Sequence, residues 1–141
     1  MYKVMIVGHG FVGSAIASLF SDEEKVIVDP KFNDNKISDN SNIPFDAVFV
    51  SVDTPKAEGF KLLDSILCEL DYVMMKGTPV CCKSTATPEF YYEVSQRYKN
   101  IKIVHSPEYL NKTNPIKMFQ GQKFFIIGGD QHAAMTVGHI F

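Results

Sequence analysis

Short apolar runs rich in β-branched residues alternate along this chain with longer stretches whose apolar residues recur every three or four positions. That alternation predicts a parallel sheet wrapped by helices. Strands are expected at Lys3 to Val7, Val26 to Asp29, Ala47 to Val52, Pro79 to Lys83, Ile101 to Val104 and Phe124 to Ile127. A first helix is expected from about Val12 to Phe20. A second covers about Lys61 to Met75, where Leu62, Ile66, Leu70 and Val73 would line one face. A third is capped by Thr87, carries Pro88 in its first turn and continues to about Arg97, and a fourth runs from near Asp130 to Phe141. The stretch from Pro30 to Pro44 has no apolar period and reads as a short crossover or loop. Near-continuous apolar runs such as Phe45-Asp46-Ala47-Val48-Phe49-Val50 predict strands covered on both faces. The expected fold is therefore α/β: a doubly wound, mostly parallel six-stranded sheet in one domain over residues 1–141.

Composition narrows the partners. The formal net charge is −2 and the lysines are scattered, so the basic footprint of a nucleic-acid-binding protein is missing. No apolar run reaches the ~18–20 residues needed to cross a bilayer. The opening Met1 to Gly8 reads as a strand of a cytoplasmic protein. Cys68, Cys81 and Cys82 are odd in number and lack CxxC spacing, which predicts reduced thiols in a core, with no metal site. Of the 14 basic residues 13 are lysine, a bias that points to an AT-rich genome such as a phage's and would place the protein in the host cytoplasm.

The strongest local motif is Gly8-His9-Gly10-Phe11-Val12-Gly13, between the first strand and the first helix. Gly8 permits the tight turn, Gly10 lets a pyrophosphate approach the backbone, and Gly13 lets helix and strand pack closely. The phosphates would sit on the helix start formed by Gly10, Phe11 and Val12, where N–H groups and the helix dipole favour negative charge. Asp29 ends the second strand 21 residues after Gly8, where a carboxylate can accept from the adenosine ribose hydroxyls and repel a 2′-phosphate. NAD is thus the expected cofactor, although Lys31 nearby would soften that repulsion. The alternative for Asp29 is a turn with Pro30.

Three further segments fall at expected strand ends: Val52-Asp53-Thr54-Pro55, Lys83-Ser84-Thr85-Ala86-Thr87-Pro88 and Ser106-Pro107-Glu108-Tyr109-Leu110. In this order behind the glycine motif, and with Gly128-Gly129-Asp130 following a last apolar run, the chain resembles the UDP-glucose/GDP-mannose dehydrogenases from Tyr2 to about Asp130. The resemblance implies that Val52, Thr54 and Pro55 pass beside the cofactor and that Ser84 lies near the nicotinamide. It also implies that Thr85 helps position a water, and that Glu108 is the general base of the hydrolytic half-reaction. Oxidising a primary alcohol to a carboxylate takes two hydride transfers to NAD and one activated water, which accounts for a hydroxyl and a carboxylate there. For Thr85 the alternative is a helix cap or turn, and for Glu108 a solvent-facing carboxylate.

Two departures from the family pattern stand out. Lys112 occupies the place of the family's second glutamate, and the 141 residues hold no counterpart of its central helix or its C-terminal UDP-binding domain with the nucleophilic cysteine. By motif, none of the three cysteines replaces that nucleophile. Two readings follow: the NAD(H)-binding part of a UDP-glucose 6-dehydrogenase-like enzyme, taking a UDP-sugar only with a complementing domain, or a stand-alone NAD(H)- or adenine-nucleotide-binding module without activity. The family dimerises mainly through its central helix, so a monomer or weak dimer is expected. His132 and His139 are expected on the surface, His9 to touch cofactor only through its backbone, and His105 has no assigned role.

Overall fold

The computed structural model describes residues 1–55, 57–108 and 113–141, with Ala57 described by its backbone alone. The first strand, β1 (Val4–Val7), has all four residues buried and runs through the glycine turn into helix α1 (Phe11–Ala17). β2 (Lys25–Val28) follows, then a single 3-10 turn at Ile37–Asn40 in the segment expected to be a crossover. β3 (Ala47–Val50), α2 (Ala57–Val73), β4 (Pro79–Cys82), α3 (Pro88–Arg97) and β5 (Lys102–His105) complete the alternating part. Among the described residues the sheet has six strands, the last being β6 (Gly128–Gly129), in the order β2-β1-β3-β4-β5-β6, parallel except for the last pair.

Alternation of side chains sends Met5, Val7, Val48, Val50, Val80 and Cys82 to one face, where Leu63, Leu67 and Leu70 of α2 and Val94 of α3 cover them. Val4, Ile6, Ala47, Phe49, Cys81 and Val104 face the other way, onto Ala15 and Ile16 of α1, Phe119, and Ala133 and Val137 near the C-terminus. Both faces are covered, which is why the strands read as nearly continuous apolar runs.

Four expectations are corrected. The sixth strand is not Phe124 to Ile127: β6 is Gly128–Gly129, and it pairs antiparallel with β5, which leaves the sheet mostly parallel as expected. Phe125 packs instead on Phe119 and Phe141, with ring centroids 5.4 and 4.5 Å away, and Ile127 joins the same apolar face. Helix α4 (Pro115–Gln120), capped by the Asn114 side chain on the Lys117 N–H, was not anticipated, although Asn-Pro is a helix-start signal. Of the expected stripe of α2, Leu70 is fully buried and Ile66 and Val73 pack partly buried against the core, but Leu62 is half exposed; Leu63 and Leu67 are buried instead, with Met74 just past the helix end. Cys68 on the same helix is exposed and outside the core, whereas Cys81 and Cys82 are fully buried. The final helix, α5 (Gln131–Ile140), begins where predicted, with Asp130 Oδ1 accepting from the Ala133 N–H at 2.9 Å. Thr87 likewise caps α3 by accepting from the Phe90 N–H at 3.1 Å.

Candidate functional site

In an open α/β sheet the ligand crevice forms at the carboxyl ends of the strands, where neighbouring connections leave in opposite directions. Here that point lies between β1 and β3, because the chain passes from β1 to β2 on one side and returns to β3 on the other. The glycine motif sits on it. Gly8 has φ +93°, a conformation costly for any residue with a Cβ, and a Cβ there would lie 2.5 Å from the Ser51 carbonyl oxygen. A Cβ on Gly13 would overlap the Gly8 carbonyl, so this glycine is required by packing of α1 on the turn. Gly10 differs: a Cβ there would meet no atom within 4 Å. Packing does not demand a glycine at that position, and the open backbone there is the kind of surface a phosphate could approach closely. Phe11 is half exposed and Val12 partly buried at the start of α1.

Asp29 closes the adjoining edge. Its Oδ2 accepts from the His9 N–H at 2.7 Å and its Oδ1 from the Lys31 N–H at 2.8 Å. The His9 N–H, and after it the Lys31 N–H and ammonium, hold the Asp29 carboxyl below the usual carboxylate range against the opposing effect of burial. The carboxylate therefore makes the turn contact anticipated as its alternative role and also fastens the glycine loop to β2. Each oxygen keeps a lone pair for a further donor. His9 touches the Asp29 carboxylate through its backbone, and its ring packs on Phe32 at 4.2 Å. Because Asp29 has a depressed folded-state pKa, its contribution to stability is complete above the ordinary carboxylate pKa of ~3.9 and is lost as pH falls through the lower folded value. Asp29→Asn should flatten the acid limb of stability below about pH 4 relative to the unsubstituted protein, read by thermal unfolding across pH. Parallel acid limbs would show that the loop is not fastened in this way.

The remaining candidates line the ends of β3, β4 and β5, which are neighbours in the sheet. Ser84 Oγ accepts from the Val52 N–H at 2.9 Å and donates to the Val52 carbonyl at 2.8 Å, so this buried hydroxyl joins two strand ends. Thr54 Oγ1 donates to the Thr85 carbonyl. The Pro55 ring and the Thr54 backbone press against Gly59, where a Cβ would clash, and this contact sets the first turn of α2. Thr85 is exposed at the crevice.

Glu108 is not the solvent-facing carboxylate that stood as the alternative to its expected role as a base. Its side chain is 9% exposed and its Oε2 lies 3.1 Å from the Nζ of Lys83, a lysine that is itself 1% exposed. Gln122 Nε2 donates to Glu108 Oε1 at 3.3 Å, and Lys83 Nζ donates to Ser106 Oγ at 3.0 Å. The ammonium also lies 5.3–5.8 Å from the ring centroids of Phe119, Phe125 and Phe141. Lys83 opens the Lys-Ser-Thr segment, and no local pattern around it marks it as buried. Tyr109, Leu110 and Lys112 lie outside the described residues, so the altered charge at Lys112 has no structural counterpart here.

Burial pushes the Cys81 thiol up to about 12 and the Cys82 thiol well above its usual range, so neither is a ready nucleophile at neutral pH. His132 and His139 are exposed. Among the described residues no group of three or more His, Cys, Asp or Glu side chains could hold a metal, and no helix is long and apolar enough to cross a membrane. A groove of about 690 Å³ lies elsewhere, between α3 and the β5–β6 edge, lined by Tyr91, Tyr92, Lys99, Lys102, His105 and Gly128 among others. None of the candidate cofactor residues lines it.

No protein-family model matches the sequence, and no curated protein matches it. Solved structures do match its fold. The 3-hydroxyisobutyrate dehydrogenase of Mycobacterium tuberculosis superposes with a TM-score of 0.77 at 13% identity, over 99% of this chain and 50% of its own. A UDP-glucose dehydrogenase from the hyperthermophilic archaeon Pyrobaculum islandicum gives 0.74 at 16% identity, over 99% and 44%. The prephenate dehydrogenase of A. aeolicus, solved with hydroxyphenyl propionate and NAD+, gives 0.71 at 16% identity, over 99% and 56%. The chain thus spans about half the length of the proteins it matches. These similarities establish that the chain has the doubly wound fold found in the dehydrogenases to which it is similar.

Proposed function

We propose that this chain is the NAD(H)-binding domain of a nucleotide-sugar dehydrogenase of the UDP-glucose type. The observation that carries the reading is the order of segments along one sheet edge. The glycine turn fastened to Asp29, Val-Asp-Thr-Pro, Lys-Ser-Thr and Ser-Pro-Glu stand on five neighbouring strands around the switch point. The residues suit the cofactor: open space above Gly10 accommodates a pyrophosphate, and the ionised Asp29 offers acceptors to a ribose diol while disfavouring a 2′-phosphate. Similar structures include UDP-glucose, UDP-N-acetylmannosamine and GDP-mannose dehydrogenases, which supports the choice of substrate class.

When bound, NAD supplies the hydride acceptor. The chain supplies Thr85, whose exposed hydroxyl orients a water, and Glu108, whose carboxylate takes the proton from that water. With Lys83 on one Glu108 oxygen and Gln122 on the other, the carboxylate is held in one orientation. A UDP-sugar would be oxidised only together with the substrate-binding part that such enzymes possess. Within that assembly Glu108→Gln abolishes the hydrolytic step while NAD affinity stays nearly unchanged.

One observation favours a second reading, a dinucleotide-binding module without activity: the Glu108 carboxylate is buried and ion-paired, as a purely structural carboxylate would be. Thermal unfolding with NAD, NADH, NADP and UDP-glucose added separately tests the shared core of both readings. A ligand at about 100 times its dissociation constant adds ~2.7 kcal/mol. Stabilisation by NAD or NADH without a matching effect of NADP is the expected result; no shift with any dinucleotide overturns the proposal.

A further inference from the structure

The Ser84–Thr85 turn at the end of β4 is held from two sides by hydroxyls of other elements. Tyr91, one turn into α3, donates its phenol O–H to the Ser84 carbonyl, the peptide group immediately before Thr85. Thr54, after β3, donates to the Thr85 carbonyl on the other side. Tyr91 is itself fixed: its ring stacks on His105 at 4.3 Å with 19° between planes, and the Phe90 ring meets it edge-on at 5.5 Å. Burial keeps the phenol protonated, so it acts as an O–H donor throughout the physiological range. Thr85 itself is exposed at the carboxyl end of β4, so two anchored carbonyls bracket one exposed residue.

We infer that Tyr91 is a positioning residue that sets the Ser84–Thr85 turn against the nicotinamide end of a dinucleotide seated on the glycine turn. This rests on the proposed NAD(H) reading, and the direction of the ligand follows from strand order. The glycine turn tops β1, Asp29 tops β2 on one side, and Ser84–Thr85 tops β4 on the other. At ~4.8 Å per strand, β4 stands about 10 Å from β1. A pyrophosphate on the turn with its adenosine ribose at Asp29 must send its other half over β3 toward β4. Tyr91 touches no part of that path directly and acts only through the Ser84 carbonyl. This also gives His105, which had no role by sequence, a place as the ring that fixes Tyr91.

Calorimetric titration of the unsubstituted chain and of Tyr91→Phe, each with NADH and with ADP-ribose, separates the possibilities, because ADP-ribose lacks the nicotinamide. Loss of one neutral hydrogen bond, worth about 1 kcal/mol, predicts roughly fivefold weaker NADH binding by Tyr91→Phe. ADP-ribose affinity should stay within twofold, roughly 0.4 kcal/mol. Thr54→Val removes the opposite anchor without changing side-chain shape, should show the same selectivity, and carries the test if Tyr91→Phe does not fold. Equal weakening of both ligands, or of neither, overturns the inference while leaving NAD(H) binding intact. Failure of the unsubstituted chain to bind either ligand overturns the NAD(H) reading and the inference with it.

Discussion

Gly13→Ala should destabilise the domain by about 3 kcal/mol, lowering the melting temperature by roughly 10 °C, while Gly10→Ala costs no more than about 1 kcal/mol. The contrast follows from what each new methyl would meet. At Gly13 it would overlap the Gly8 carbonyl oxygen and lie 2.9 Å from Ser51 Oγ, so either α1 lifts away from β1 or the turn opens. Relief by shifting Gly8 is closed off, because Gly8 already has φ +93° against the Ser51 carbonyl. At Gly10 the methyl would enter open space, with φ −78° available to any residue. The second substitution should therefore leave the fold and weaken NAD(H) at least tenfold, about 1.4 kcal/mol, by standing where the pyrophosphate approaches. Circular-dichroism melting and NADH titration on the two variants read both effects. Unchanged NADH affinity in a folded Gly10→Ala protein would sink the assignment of this turn as the phosphate seat.

That contrast marks where the sequence was informative. Glycines required by close backbone approach, an aspartate at the end of an apolar run and caps such as Thr87 and Asp130 act over a few residues, so their roles can be read locally. β1 and β3 were legible for a related reason, since burial on both faces leaves a continuous apolar run, while the partly buried β2 and β5 were legible from their β-branched residues. β6 was not. Its two residues are glycines with no pattern to read, and the apolar run before them spends Phe125 on the aromatic cluster with Phe119 and Phe141. On α2 only Leu62 was misplaced, because Leu62 and Leu63 are chemically alike and only the position of the sheet decides which is covered. Least legible was Lys83. Its burial depends on Glu108, Ser106 and three phenylalanines scattered through the chain up to residue 141, a set that no local window contains.

Lys83→Met should cost about 3–5 kcal/mol, the usual penalty for removing one member of a buried ion pair. The carboxylate left behind would retain Gln122 on one oxygen and face aromatic carbon where the ammonium had been. Glu108→Gln should cost less, about 1–3 kcal/mol, because an amide oxygen can still accept from Lys83. In the double variant the methionine thioether suits the ring box and an amide replaces the charge beside Gln122, so it should be more stable than Lys83→Met alone, with a coupling of about 1–3 kcal/mol. Urea unfolding of the four proteins gives the cycle, and strict additivity would show that the two charges are not coupled. The outcome also bears on function. Buried ion pairs are often replaceable by apolar side chains without loss of stability. If the double variant approaches the unsubstituted protein, stability does not account for this pair, and the case strengthens that the carboxylate is kept for chemistry at the strand ends. If it stays far less stable, Glu108 is part of what holds the C-terminal aromatic cluster to the sheet, and the module reading gains at the expense of the enzyme.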